Sequence, residues 1–142
     1  MIIVEAIEEI KKICKSSRDG RVIVPTMGAL HEGHVALLDK AREFDQIFAT
    51  LFVNPLQFNN LDDLNSYPKT LEEDIDIFDK NGVDVLFMPS KEGILNHDQI
   101  KKIDAGPAGD IWEGSFRPGH FDGVLTIVNR FFELIRPSKA IF

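Results

Sequence analysis

A chain of 142 residues, 44% hydrophobic and 27% charged, has the size and composition of about one globular domain. Its formal net charge of -7 argues against general nucleic-acid binding, because no surplus of lysine and arginine can displace phosphate counterions. No apolar run approaches the roughly 20 residues of a membrane-spanning helix and no signal peptide is recognisable, so we expect a cytoplasmic protein without a membrane partner. The single cysteine, Cys14, excludes an internal disulfide and a cysteine-based zinc cluster.

The first third of the chain alternates helical and extended patterns. Residues 7–14 carry apolar side chains at a spacing of three and four, which predicts an amphipathic helix with Cys14 packed on its buried face. The next predicted elements are a turn at 18–20, a strand at 21–25, a helix at 33–44 and a strand at 46–53 that Asn54 and Pro55 end.

The second half begins with a sharper helix signal. Thr70 and Glu73 have the spacing of a capping box, in which the threonine side chain accepts from the third helical N–H and the glutamate reaches back. A helix is expected over 71–81, with Gly82 as its left-handed cap. The remaining elements are a strand at 83–88, short elements and loops over 90–118, and a long helix at 121–135 closed by Arg136 and Pro137.

Strands and helices that alternate in this way indicate an α/β fold, a Rossmann-like parallel sheet with crossover helices. In such a sheet, the loop after the first strand lies beyond the carboxyl edge of the strands, and the next helix points its unpaired N–H groups into the crevice. An anionic ligand is expected there.

The stretch PTMGALHEGHVALL, residues 25–38, occupies that position. His31 and His34 lie three apart at the start of a helix, so both side chains face the same way. Gly28 allows a turn, and Gly33 keeps a Cβ from the space between the imidazoles. Two imidazoles at this place can donate hydrogen bonds to phosphate oxygens as charge builds on them.

Other interpretations of the histidines stay open at this level. A histidine near a helix start is often a cap or a surface residue. A zinc site through His31 and His34 lacks a third ligand, since His97 and His120 lie in unrelated contexts. The stretch matches neither the phosphate-binding Gly-Lys-Ser/Thr loop nor the G-x-G-x-x-G dinucleotide motif.

Four ordered motifs make the chain closely similar to the pantoate–beta-alanine ligase family, also called pantothenate synthetases, from about residue 21 onward. They are PTMGALHEGH at 25–34, FVNPLQF at 52–58, YPKT at 67–70 and EGSFRPGHF at 113–121. The His-x-Gly-His core alone is shared with many nucleotidyltransferases, so the surrounding motifs select the substrate.

The resemblance implies a two-step, AMP-forming ligation of pantoate to beta-alanine through a pantoyl adenylate, with ATP and Mg²⁺ as cofactors. The implied ATP-binding loop comprises Met27, Gly28, Ala29, Leu30, His31, Glu32, Gly33 and His34. In it, His31 and His34 are the catalytic pair, His34 has the acid role, and Mg²⁺ binds phosphates rather than protein side chains. The implied pantoate and beta-alanine residues are Gln57, Met27, Asn54 and Arg117.

Several positions carry a second interpretation. Gln57 also fits an exposed loop glutamine, and Arg117 also fits the start of the long helix. His120 is expected to satisfy backbone groups, and Trp112 is expected to pack rather than to stack on adenine. Lys69 stands where the family commonly has arginine, an exchange that would lose a two-pronged donor.

The family pattern continues beyond the strand expected at 140–142, with further lysine, arginine and glutamine residues and a smaller domain. We therefore expect the N-terminal part of the nucleotide-binding domain, residues 1–142, with the C-terminal domain absent and little or no activity alone. The family usually forms homodimers. The alternatives are a non-catalytic or self-associating fragment, and an adenylyltransferase that acts on another acid.

Overall fold

A computed structural model describes residues 1–16, 20–68, 70–96 and 100–142, and its strands form one parallel sheet. The strand order is β1-β4-β3-β2-β5, and every pairing between described strands is parallel. The strands are β1 at Ile2–Val4, β2 at Arg21–Thr26, β3 at Gln46–Leu51, β4 at Val85–Phe87 and β5 at Lys139–Ala140.

Helices connect these strands and cover both faces of the sheet. They are α1 at Ile7–Ser16, α2 at Glu32–Ala41, α3 at Leu61–Asn65, α4 at Leu71–Lys80, α5 at Lys91–Ile94, α6 at Glu113–Phe116 and α7 at His120–Ile135. Two 3₁₀ turns lie at Pro55–Gln57 and Pro107–Asp110. Within the described ranges no helix is long and apolar enough to cross a membrane.

The core consists of two layers because alternate strand residues point to opposite faces. Ile23 and Phe48 face α1 and α7, where they pack with Ile10 and Phe131. The next residues along the strands face the opposite layer, which α2 and α4 cover with Leu38, Ala41 and Phe78. Coverage of both faces explains why the central strands are nearly continuous apolar runs.

The strand order reverses beside β2, and this reversal locates the crevice of the fold. The chain passes from β2 to β3 and β4 in one direction across the sheet, whereas β5 pairs with the other side of β2. The helix that follows β2, α2, and the helix that precedes β5, α7, therefore lie on opposite faces of the sheet. A crevice opens beyond the carboxyl ends of these two neighbouring strands. Residues 27–31 and residues 141–142 emerge at that edge.

The sequence predictions of the α/β class and of most elements are confirmed, with differences at the ends. The strand expected at 83–88 is shorter, and the helix expected at 33–44 ends at Ala41 in a turn. The edge strand β1 was not predicted, because three residues are too few for a periodic pattern. Part of the turn predicted at 18–20 lies outside the described residues.

The capping box predicted at Thr70 is wrong. Thr70 does precede α4, but its side chain caps no helical N–H. Its hydroxyl donates instead to Asp74 Oδ2 at 3.1 Å, because this carboxylate is buried one turn into the helix and needs donors. The predicted left-handed cap at Gly82 is confirmed by a φ of 78°.

Candidate functional site

The two histidines of the opening motif form a reciprocal cap at the start of α2. His31 is the N-cap residue, and its Nδ1 accepts from the Gly33 N–H at 3.1 Å. His34 Nδ1 accepts in turn from the His31 N–H at 3.3 Å. The ring centroids lie 4.2 Å apart, so the prediction that both side chains face the same way is confirmed.

This capping arrangement fixes the tautomer of both rings. Because each Nδ1 uses its lone pair to accept a backbone N–H, each neutral imidazole carries its proton on Nε2. Burial and the neighbouring His31 lower the pKa of His34, and the charge of Asp74 opposes them in part. His34 is therefore a neutral donor through Nε2–H at pH 7.

The loop between β2 and His31 is held by a residue that sequence reasoning missed. Asp74, on the first turn of α4, accepts from the Ala29 N–H at 2.9 Å and from the Leu30 N–H at 2.8 Å. The sequence showed it only as one of three acidic residues near a helix start. Its position four residues before the buried Phe78, on the apolar face of α4, is the signal that could have found it.

Asn54 and Gln57 form the second part of the site, in the 3₁₀ turn after β3. Asn54 Nδ2 donates to Gln57 Oε1 at 3.0 Å and to Gly123 O at 3.0 Å. Asn54 Oδ1 accepts from the Leu56 N–H at 3.2 Å. Gln57 is 9% exposed, so the interpretation as an exposed loop glutamine is wrong.

These bonds orient the Gln57 amide. Its oxygen faces the Asn54 amide, and Nε2 is consequently left as the donor of the side chain. His120 supports the same turn, since its Nδ1 donates to Gln57 O at 2.8 Å. The expectation that His120 satisfies backbone groups is thus confirmed.

A cavity of about 220 Å³ brings several of the predicted residues together at the carboxyl edge of the sheet. Met27, His34, Asn54 and Gln57 all contribute to its wall. The rest of the wall is mostly apolar and comes from β2, the residue after β3, the segment between α3 and α4, α7 and residue 142: Pro25, Thr26, Phe52, Tyr67, Val124, Ile127, Val128, Phe131 and Phe142.

Other predicted residues lie away from this cavity. Arg117 is not among its lining residues; the guanidinium pairs with Glu113 at 3.4 Å on α6. Trp112 is 84% exposed, so the expectation that it packs is wrong; its φ of 50° turns the chain at the start of α6. Lys69 and His97 lie outside the described residues.

A parallel α/β sheet, with a histidine pair at the start of the helix after a central strand, is a fold of the nucleotidyltransferase type. The comparisons with known proteins give the family. The profile of the Pantoate-beta-alanine ligase family matches residues 2–142, and the chain belongs to that family.

Relatives of known name agree with this assignment. The chain is 50% identical to the pantothenate synthetase of Vibrio parahaemolyticus over 130 residues, which cover 88% of this chain and 43% of that protein. It is 41% identical to the pantothenate synthetase of Aquifex aeolicus, over 99% of this chain and 51% of that protein. The chain thus spans about half the length of these relatives.

Solved structures show the same fold. The pantothenate synthetase of Thermus thermophilus superposes with a TM-score of 0.90 at 41% identity, over 99% of this chain and 51% of that chain. The pantoate-beta-alanine ligase of Francisella tularensis, solved with "Beta-gamma ATP" and beta-alanine, superposes with a TM-score of 0.93 at 40% identity. That match covers 99% of this chain and 55% of the relative.

Proposed function

We propose that this chain supplies the part of a pantoate–beta-alanine ligase that binds ATP and pantoate and supports formation of pantoyl adenylate. The observation that carries the proposal is that His34 and Gln57, from separate motifs, line one cavity beside the histidine-capped start of α2. Two of the wall residues, His34 and Gln57, have side-chain N–H donors, and most of the other wall residues are apolar. A carboxylate with hydroxyl and methyl groups has the complementary surface.

The acid is proposed to bind with its oxygens toward Gln57 and its methyl groups toward Phe52 and α7. Gln57 Nε2 can donate to the carboxylate or a hydroxyl, because Asn54 already occupies the amide oxygen. Pantoate carries two hydroxyls, a carboxylate and a pair of methyl groups on one carbon. An amide donor binds such an anion without adding charge to the cavity.

In the first step, a pantoate carboxylate oxygen attacks the α-phosphorus of ATP, and the bond from that phosphorus to pyrophosphate breaks. His31 and His34 are proposed to donate through Nε2–H to the phosphate oxygens, on which charge accumulates during the transfer. One such preorganised donor is typically worth roughly 3 to 4 kcal/mol in the transition state. In the second step, the amine of beta-alanine attacks the acyl carbon, loses a proton, and AMP leaves.

Mg²⁺ would neutralise charge on the phosphates, which is the chemistry it supplies in phosphoryl transfer. The described residues offer no group of three His, Cys, Asp or Glu side chains that could hold a metal. We therefore propose that the ion is bound through phosphate oxygens and water. Arg117 as a pantoate contact, homodimer formation and a cytoplasmic location remain predictions from the family resemblance.

Saturation-transfer NMR on the pantoate methyl resonances tests this proposal. With MgATP present, we expect saturation transfer to pantoate in the wild type and its loss in Gln57→Glu, where a carboxylate replaces the amide donor. Asn60→Asp is the matched control, since it adds the same charge at the N-cap of α3, where aspartate also caps. Equal transfer in Gln57→Glu and the wild type would contradict the proposed pantoate site.

A further inference from the structure

The carboxylate of Asp74 holds the loop that carries the histidines, and the proposed chemistry gives it no part. Only 2% of Asp74 is exposed, yet it belongs to α4, a different element from the loop. Its two oxygens accept from Ala29 N–H, Leu30 N–H and the Thr70 hydroxyl, at 2.8 to 3.1 Å. A buried carboxylate with three donors is a built arrangement rather than a chance surface contact.

The loop has the backbone geometry of an anion cradle. Gly28 has a φ of 82° and Ala29 a φ of 53°, both in the left-handed region. This turn makes the consecutive N–H groups of Ala29 and Leu30 converge on one carboxylate, with one amide on each of its oxygens. In many nucleotide-binding loops such converging amides receive a phosphate. Here they receive the protein's own carboxylate.

Two details show how closely the loop and the carboxylate fit. A Cβ added at Gly28 would lie 2.8 Å from Asp74 Oδ2. A side chain at position 28 would therefore prevent the backbone from approaching the carboxylate this closely. Ala29 adopts a left-handed conformation that is unfavourable for alanine. Charge-assisted hydrogen bonds are roughly twice as strong as neutral ones and can hold such a residue in place.

We propose that Asp74 is a positioning residue, whose carboxylate fills the amide cradle of Ala29 and Leu30 and so fixes the ligand-free loop in the conformation that presents His31 and His34 to the nucleotide phosphates. This inference rests on the proposed function. It adds that the loop is ordered before nucleotide binds, and that the phosphates meet the imidazoles rather than the amides of Ala29 and Leu30. Binding then does not have to order the loop.

Asp74→Asn tests the inference, because an amide offers one acceptor oxygen where the carboxylate offers two. Asp76→Asn is the matched control: it removes an equal charge from the same helix at an exposed position paired with Lys80. The amide proton resonances of Ala29 and Leu30 are measured in the ligand-free chain, and MgATP affinity by calorimetry. Circular dichroism confirms that each variant is folded.

We expect the resonance of at least one of the two amides to shift upfield in Asp74→Asn, and its MgATP affinity to fall. If the competent loop conformation drops to about a tenth of the population, affinity falls about tenfold. The titration midpoint of His34 also decreases, since the Asp74 charge raises the pKa of His34 against burial. A role in stability alone would leave the MgATP affinity of the folded variant unchanged.

The possible outcomes separate this inference from the proposed function. If the wild type fails to bind MgATP, the proposed function fails. If the wild type binds and folded Asp74→Asn binds equally well, only the role of Asp74 is overturned. If Asp74→Asn does not fold, hydrogen exchange of the wild type decides: protection of the Ala29 and Leu30 amides without ligand supports the inference, and exchange at the rate of exposed amides overturns it.

Discussion

Asn54 Nδ2 lies 3.0 Å from Gln57 Oε1, and this bond sets which end of the glutamine amide remains for a ligand. The same nitrogen donates to Gly123 O, so Asn54 links the 3₁₀ turn after β3 to α7. A single buried amide therefore sets both the packing of the turn and the polarity of the pocket.

Asn54→Asp is expected to reverse this polarity. The new carboxylate at position 54 can no longer donate, so the Gln57 amide turns its Nε2 inward and presents its oxygen to the cavity. Gly123 O then loses a buried donor, which costs about 1–3 kcal/mol. We expect a lower free energy of unfolding in urea and loss of pantoate binding. Unchanged pantoate binding in a folded Asn54→Asp variant would contradict the role assigned to this bond.

Gly33→Ala should separate stability from binding. A Cβ at this position would lie 2.9 Å from His31 Cε1, so the His31 ring must move and its bond to the Gly33 N–H weakens. Losing a helix cap costs about 1 kcal/mol, and replacing glycine by alanine inside a helix gains about as much. The unfolding midpoint should hardly change, whereas MgATP affinity should fall.

The control for that comparison is Gly93→Ala in α5, beside the N-cap Ser90 and outside the lining of the pocket. Its MgATP affinity should equal that of the wild type. Equal affinity in Gly33→Ala would show that the ring position of His31 does not matter for nucleotide binding.

Arg21 is expected to matter for stability and not for binding. Its guanidinium, 7% exposed, donates to Ile135 O at 2.8 Å and to Cys14 O at 2.9 Å, and so joins the carboxyl ends of α1 and α7. In Arg21→Lys one ammonium cannot reproduce the planar fork. A buried carbonyl without a donor costs about 1–3 kcal/mol.

Urea unfolding measures this loss, with the exposed Arg42→Lys as the control. MgATP binding should be unaffected, because Arg21 begins β2 and the histidine loop follows its other end. An unfolding midpoint for Arg21→Lys equal to that of Arg42→Lys would refute the bridging role.

The pH dependence of stability should include a contribution from His34. Its pKa is lowered in the folded chain, chiefly by burial, so between that value and about 6.5 the unfolded chain binds more protons. The free energy of unfolding therefore rises with pH through this window. Below the pKa of His34 in the folded chain, the full destabilisation that this residue causes is present. Comparing urea unfolding of wild type and His34→Gln over this range isolates the effect. Identical pH slopes in the two proteins would contradict it.

Sequence reasoning succeeded where the signal was local. The histidine spacing and the helical period of residues 121–135 involve neighbours within a few turns, and both are confirmed. The family motif that contains Gln57 led us to expect this residue near His34, and both residues line the same cavity. The burial of Gln57 could not be predicted from the sequence.

Contacts between segments that are distant in the sequence could not be predicted. Asp74 meets Ala29 only because α4 packs over the carboxyl edge of β2, and no local pattern encodes that meeting. The same carboxylate draws the Thr70 hydroxyl away from the helix cap that its spacing predicted. Arg21 looked like the first residue of an apolar strand, whereas its partners are the ends of two helices.

The central claim is that the histidine pair and the Gln57 cavity form one site for ATP and pantoate. Calorimetric titration of the chain with MgATP, and then with pantoate, tests it most directly, using wild type and the double variant His31→Ala/His34→Ala after circular dichroism confirms folding. We predict heat of binding for MgATP in the wild type, a further heat for pantoate, and loss of both in the double variant. A folded wild type that gives no heat with either ligand would contradict the claim.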